Sequence, residues 1–118
     1  MIKGFKIAAT AIVAKNKMLP PSIVTIDDAG VVVNIAPLAA FDVEPAATRY
    51  FSGIITTDVE IVKIQEGADV RTLVDWQLEI GYSGRLLLWQ NISAYDFIIK
   101  NNTIVSEIEN KNILWQKN

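Results

Sequence analysis

The sequence predicts a mainly β protein, a small β-sandwich or partly open barrel with one α-helix at about residues 69–80. Its 118 residues include 17 Ile and 11 Val, and β-branched side chains suit the pleated, half-buried surface of a sheet. Short apolar runs alternate with Pro, Gly, Asp and Asn turn signals along most of the chain. The length fits one domain, so we expect residues 1–118 to form a single unit with a helical insert at 67–81.

The first third of the chain predicts a strand followed by a β-hairpin. Residues 6–14 predict a strand, and the following "KNKMLPPS" predicts a loop, because two adjacent prolines lack the backbone donors of a ladder. Residues 23–26 and 31–35 predict the strands of the hairpin. Asp-Asp-Ala-Gly at 27–30 predicts its turn, since Asp bonds its own backbone and Gly accepts a positive φ.

The middle of the chain predicts two strands and the helix. Residues 50–56 and 59–64 are short strand-like runs on either side of a Thr-Thr-Asp break. Beyond them, apolar residues recur at a spacing of three and four, which indicates a helix over 69–80. Asp69 stands where an N-cap would lie, and Gly81 stands just past the predicted end.

The last third returns to a strand pattern. The run "RLLLW" at 85–89 predicts a continuous apolar strand. The stretch "YDFIIKNNTIVSEIE" predicts a second hairpin that turns at Asn101 and Asn102, because Asn tolerates the left-handed backbone conformation. A short strand at 113–115 completes the predicted set.

The composition excludes several classes of function. The chain has no Cys for a disulfide or a thiolate, and no His, which is the commonest general base and metal ligand. A net charge of -2 and a pI near 5.0 provide no basic surface for a phosphate backbone, so we expect no nucleic-acid partner. We therefore predict no enzyme activity, no catalytic or metal-binding residues and no cofactor.

Two groups of acidic residues have simple structural interpretations. Asp27 and Asp28 are adjacent on a predicted turn, where turn formation is favoured over cation binding, because a hard cation needs several oxygen ligands around it. Asp58 and Glu60 would share one face of a strand, with Lys63 on the other face. This alternation predicts a solvated sheet edge.

The start of the chain is interpreted as a strand. Two lysines precede the apolar or small residues 7–14, and Lys15 follows without a convincing cleavage site, so the pattern does not favour a signal peptide. No other segment approaches the length that spans a membrane. We expect no membrane partner and a cytoplasmic location.

Aromatic residues provide the candidate binding surface, since Trp and Tyr combine a large apolar area with a polar group. We predict an interface or ligand surface formed by Trp76, Tyr82, Arg85 and Trp115. Trp89 continues an apolar strand and is predicted to lie in the core. For Trp76 and Trp115, burial against the sheet is an equally open interpretation.

The order of these pieces resembles the amidohydrolase superfamily of metal-dependent hydrolases. The stretches "KIAATAIVAKNKMLPPSIVTIDDAGVVVNIAP" and "TRYFSGIIT" are similar to that family's N-terminal section, where a strand, a hairpin with an acidic-Gly turn and a short Gly-containing strand precede the barrel. The stretch "IGYSGRLLLWQNISAYDFIIKNNTIVSEIE" is similar to its C-terminal section, where the chain returns to the small domain. The resemblance covers residues 6–108.

The resemblance implies a composite β-sandwich made from both ends of a hydrolase, without the catalytic barrel between them. A barrel needs at least ~200 residues. Residues 57–81 leave room for only a strand and a helix, so none of the family's catalytic residues has a counterpart here. An unrelated small β-sandwich or barrel with one helix would show the same number and spacing of strands.

Two functions are consistent with these patterns. The first is a non-catalytic structural or protein-interaction module, whose apolar face is covered by the helix and by a homodimer partner or another protein. The second is a small-ligand-binding protein with a pocket between sheet and helix, in which Tyr82, Trp76 and Arg85 lie near the mouth.

Overall fold

One open sheet of eight strands dominates the computed structural model, which describes residues 4–38 and 48–117. The strands are β1 (Phe5–Ala14), β2 (Lys17–Leu19), β3 (Ser22–Ile26), β4 (Val32–Pro37), β5 (Thr48–Thr57), β6 (Leu86–Gln90), β7 (Ile104–Glu107) and β8 (Ile113–Gln116). Their order across the sheet is β4-β3-β1-β5-β6-β7-β8, with β2 added to β1. The mainly β class predicted from the sequence is confirmed.

Two long parallel strands form the centre of the sheet. β1 and β5 run side by side from Lys6 opposite Thr48 to Val13 opposite Thr56. The other strand pairs are antiparallel. Six predicted strands are confirmed, namely those over residues 6–14, 23–26, 31–35, 50–56, 85–89 and 113–115.

Both faces of the sheet carry a buried apolar cluster, because side chains alternate between the faces along each strand. The first core contains Ile7, Ala9, Ile12, Ala14, Val24, Ile26, Val32, Ile55, Leu78, Leu86, Leu88 and Ile108. The second core contains Ala11, Val13, Ile54, Val59, Ile64, Val70, Val74, Leu87, Trp89, Phe97, Ile99 and Val105. The second core is therefore covered largely by the segments that connect β5 to β6 and β6 to β7.

The predicted helix at 69–80, and with it the helical insert at 67–81, is wrong. Asp69 does act as an N-cap, since its carboxylate accepts a hydrogen bond from Arg71 N at 2.9 Å. The 3₁₀ helix that follows, Val70–Thr72, lasts for only one turn. No helix among the described residues is long and apolar enough to cross a membrane.

The helix fails because its apolar residues belong to different cores. Val74 packs in the second core, whereas Leu78 packs in the first. A helix that lies on a sheet can turn its apolar stripe to only one face. The segment instead crosses from one face to the other as irregular chain.

The predicted strand at 59–64 is also wrong. Val59 keeps a single bridge to Val74, and Ile61–Lys63 forms a 3₁₀ helix. Val59 and Ile64 both turn into the second core, whereas a regular strand would place them on opposite faces. Packing against that core therefore bends the chain out of the sheet after β5.

The second predicted hairpin is only half present. The turn at Asn101 and Asn102 forms, and the strand β7 follows it. The preceding arm, residues 95–99, makes no strand, because β7 is already paired with β6 on one side and β8 on the other. The predicted loop "KNKMLPPS" likewise contains β2, which pairs with the end of β1.

The outer edge of β4 is partly covered by the chain that leads into β6. Val32 N donates to Tyr82 O at 2.8 Å, and Gly81 N donates to Val32 O at 2.8 Å. Tyr82 also packs against the first core. These contacts enclose the first core. The same segment is held at the end of β1 by a separate hydrogen bond, from Lys15 N to Trp76 O at 3.1 Å.

Candidate functional site

The candidate site lies in the excursion, the segment of residues 58–85 that connects β5 to β6. Trp76 lies midway between Val74, which packs in the second core, and Leu78, which packs in the first. Its carbonyl oxygen accepts hydrogen bonds from Lys15 N at 3.1 Å and from Thr57 Oγ1 at 2.5 Å. The backbone of Trp76 is therefore held against the ends of β1 and β5, although its side chain points outward.

The side chain of Trp76 is 58% exposed, and that of Ile80 is 67% exposed. Because two hydrogen bonds hold the backbone of Trp76, its exposed side chain lies on an ordered part of the surface and not on a frayed end. Both line an open groove of about 770 Å³, which we call the Trp76 groove. Its lining also includes Lys15, Asp58, Asp75, Glu79 and Tyr82.

Tyr82 joins the two ends of the excursion. Its hydroxyl accepts a hydrogen bond from Asp58 N at 3.0 Å and donates one to Arg85 O at 2.5 Å. The Arg85 guanidinium also forms an ion pair with the Asp58 carboxylate, with 3.0 Å between Nη2 and Oδ1. We call these three residues the neck, because Asp58 directly follows β5 and Arg85 directly precedes β6.

The environment of Tyr82 favours its protonated form, and its hydroxyl is closely packed against Gly84. Burial raises the pKa of Tyr82 to about 12, although the hydrogen bond from Asp58 N acts in the opposite direction. Gly84 packs beside the ring, and a Cβ at that position would lie 2.5 Å from the hydroxyl oxygen. Since two hydrogen bonds hold that oxygen in place, only glycine fits at this position.

The raised pKa of Tyr82 predicts that the protein loses stability at alkaline pH. The pKa of Tyr82 in the folded protein, about 12, lies above its ordinary value of 10.0, so the unfolded chain ionises first. The contribution of Tyr82 is therefore complete below about pH 10 and is lost as the pH rises to about 12. Allowing for solvent screening of this half-buried group, we expect a loss on the order of 1–2 kcal/mol in urea unfolding.

Two phenylalanine variants separate this effect from general alkaline denaturation. Tyr82→Phe should cost about 1–2 kcal/mol at neutral pH, because Asp58 N and Arg85 O lose their shared partner, and it should reduce the alkaline loss. Tyr95→Phe is the matched control, since the Tyr95 side chain is 92% exposed. An alkaline loss of the same size in Tyr82→Phe and the wild type would contradict the assignment.

The structure brings three of the four predicted surface residues into one region. Trp76 and Tyr82 line the groove, and Arg85 lies in the neck, where its charge is paired with Asp58 rather than free at a mouth. Trp115 lies elsewhere, on β8 opposite Val105, and packs half-buried against the second core. The predicted pocket between sheet and helix is replaced by a groove beside irregular chain.

Asp58 is the site residue that the sequence analysis missed. Instead of belonging to a solvated strand edge, it pairs with Arg85, and its Oδ1 accepts a hydrogen bond from Val59 N at 3.0 Å. The two partners stand at opposite ends of the excursion, and no short-range pattern relates them. An acid directly after one strand and an arginine directly before the next is the only sequence signal for this pair.

Asp27 and Asp28 are turn residues, as predicted. Asp27 Oδ1 accepts hydrogen bonds from Ala29 N at 2.9 Å and from Val31 N at 3.0 Å. The Asp28 carboxylate accepts one from Gly4 N. Both carboxylates therefore hold the hairpin turn and its contact with the start of β1.

The Trp76 groove offers apolar area and charged side chains to another molecule. Asp58 and Tyr82 are already engaged in the neck, which leaves apolar area and a few surface charges to meet another molecule. Comparison of the chain with protein-family models, with curated proteins and with solved structures finds no match. Conclusions about function therefore rest on the sequence and the geometry.

Proposed function

We propose that the protein is a non-catalytic structural or protein-interaction module that uses the Trp76 groove as its contact surface. The observation that carries this proposal is the exposure of Trp76 on a fixed backbone. Trp residues frequently dominate the binding energy of interfaces. A side chain presented from an ordered backbone also loses less conformational entropy on binding than one on a mobile loop.

The proposal includes descent from the small support domain of amidohydrolases, which the sequence resembles. The stretches that carry the resemblance, residues 6–37, 48–56 and 80–109, contribute strands to one sheet, which supports this part of the proposal. On this proposal the excursion takes the place of the family's barrel, and most residues that line the Trp76 groove belong to it. The proposed role involves no catalysis and no cofactor, and a cytoplasmic location stays a prediction from the sequence.

We expect the protein to form a homodimer through the Trp76 groove. Light scattering at micromolar concentration should give a mass of twice 13.1 kDa. Trp76→Ala should weaken dimerisation roughly tenfold or more, because it removes the largest apolar side chain of the groove. Tyr95→Ala removes an exposed ring outside the groove and should leave the dimer intact. A strictly monomeric wild type would count against self-association and leave another protein as the partner.

The second candidate function is a small-ligand-binding protein that uses the same groove. The volume of about 770 Å³ lies within the range of ligand pockets, and Trp76 and Tyr82 provide aromatic lining. A ligand that binds only the folded state must raise the melting temperature. A thermal-shift screen of metabolites tests this function, and a hit that Trp76→Ala abolishes would favour it over the interaction module.

A further inference from the structure

The Trp76 groove carries free charges of both signs. Lys15 lines it together with Asp75 and Glu79, whereas Asp58 is already paired with Arg85. Over residues 4–38 and 48–117, neither Lys15 nor Asp75 nor Glu79 takes part in an ion pair. One amine and two carboxylates are therefore available to a second molecule.

We infer that two copies dock groove to groove about a twofold axis, with Lys15 of each copy facing Asp75 and Glu79 of the partner subunit. In such a contact the same patch serves both subunits, so it must be complementary to itself. A patch with one amine and two carboxylates meets this condition, whereas a patch of a single sign would repel its own copy. The inference rests on the proposed interaction function and names its partner.

The apolar residues of the groove fit the same arrangement. Trp76 and Ile80 would supply the apolar centre of the contact, and the charged groups would lie around them, as in most protein interfaces. A purely cationic or purely anionic occupant would meet a like charge in the groove. A second copy carries both signs in the same patch, so each free charge can meet an opposite charge.

Charge-swap variants test the inference. Lys15→Glu alone, and Asp75→Lys together with Glu79→Lys, each place like charges across the contact and should weaken dimerisation roughly tenfold or more in sedimentation equilibrium. Mixing the two variants should restore a heterodimer of nearly wild-type affinity, which native mass spectrometry identifies by its mass. Lys100→Glu makes the same change in net charge as Lys15→Glu, but outside the groove, and should leave dimerisation unchanged.

The outcomes separate this inference from the proposed function. A wild-type dimer that Trp76→Ala weakens but the charge variants do not would keep the groove as the interface and overturn the reciprocal pairs. Weakened variants that fail to recover on mixing would also overturn them, provided that circular dichroism shows both to be folded. A monomeric wild type would overturn both the pairs and the homodimer.

Discussion

Replacing Gly53 by alanine is expected to destabilise the protein by roughly 3–5 kcal/mol. Gly53 has a φ of +141°, a conformation that other residues rarely adopt. A Cβ would overlap the carbonyl oxygen of Trp89 on β6 and lie 3.3 Å from Leu88 Cδ1. Because β5 and β6 are paired immediately beyond this point, from Ile54 opposite Trp89 onward, neither strand can move away freely. Urea unfolding followed by circular dichroism measures the loss.

Gly67→Ala is the matched control for this prediction. Gly67 also has a positive φ, +90°, but nothing lies within 4 Å of the position that its Cβ would take. It should cost only about 1–2 kcal/mol, the strain of the backbone alone. Equal losses at Gly53 and Gly67 would show that the close approach to β6 contributes nothing.

Trp89→Ala should also reduce the free energy of unfolding by about 3–5 kcal/mol. Trp89 lies in the second core, as its sequence pattern predicts, and it is 0% exposed. Its Nε1 donates to Thr56 Oγ1 at 2.9 Å. Truncation would leave a cavity between the sheet and the segments that cover it, and would remove the group that donates a hydrogen bond to the Thr56 hydroxyl. The same urea experiment gives the change.

Two further tryptophan variants serve as controls for the loss expected in Trp89→Ala. Trp89→Phe keeps most of the ring area but loses the hydrogen bond to Thr56, so we expect a smaller cost of about 1–2 kcal/mol. Trp76→Ala should cost less than about 1 kcal/mol, because the Trp76 side chain is mostly in water. A loss at Trp76 as large as that at Trp89 would place Trp76 in the core and remove it from the proposed interface.

Within the excursion, the neck stabilises the fold and the Trp76 groove provides the proposed contact surface. Tyr82 and the pair of Asp58 with Arg85 close the base of the loop, so their polar groups are used within the chain. Trp76 lies above this base with its backbone tied to β1 and β5. The neck therefore helps to hold the backbone that carries Trp76. We expect neck variants to lower the free energy of unfolding, and to weaken association only as a result of that loss of stability.

Most strands and the first hairpin turn follow from short stretches of sequence. A short, mostly apolar run between turn residues, such as residues 6–14 or 85–89, is typical of a buried strand because it is too short for most helices. Asp27 forms its turn through hydrogen bonds to residues two and four positions ahead, which is local chemistry. The N-cap at Asp69 is local in the same way, and it is present although the predicted helix is not.

The path of the excursion depends instead on residues far away in the chain. A helical spacing over 69–80 is outweighed because Val74 and Leu78 find places in two different cores, and because Trp76 O is bonded to Lys15 and Thr57. The ion pair of Asp58 with Arg85 and the exposure of Trp76 likewise depend on residues far apart in the chain. Composition and periodicity are therefore enough to predict a mainly β chain, whereas the groove arises from which strand ends meet, a property that no local pattern encodes.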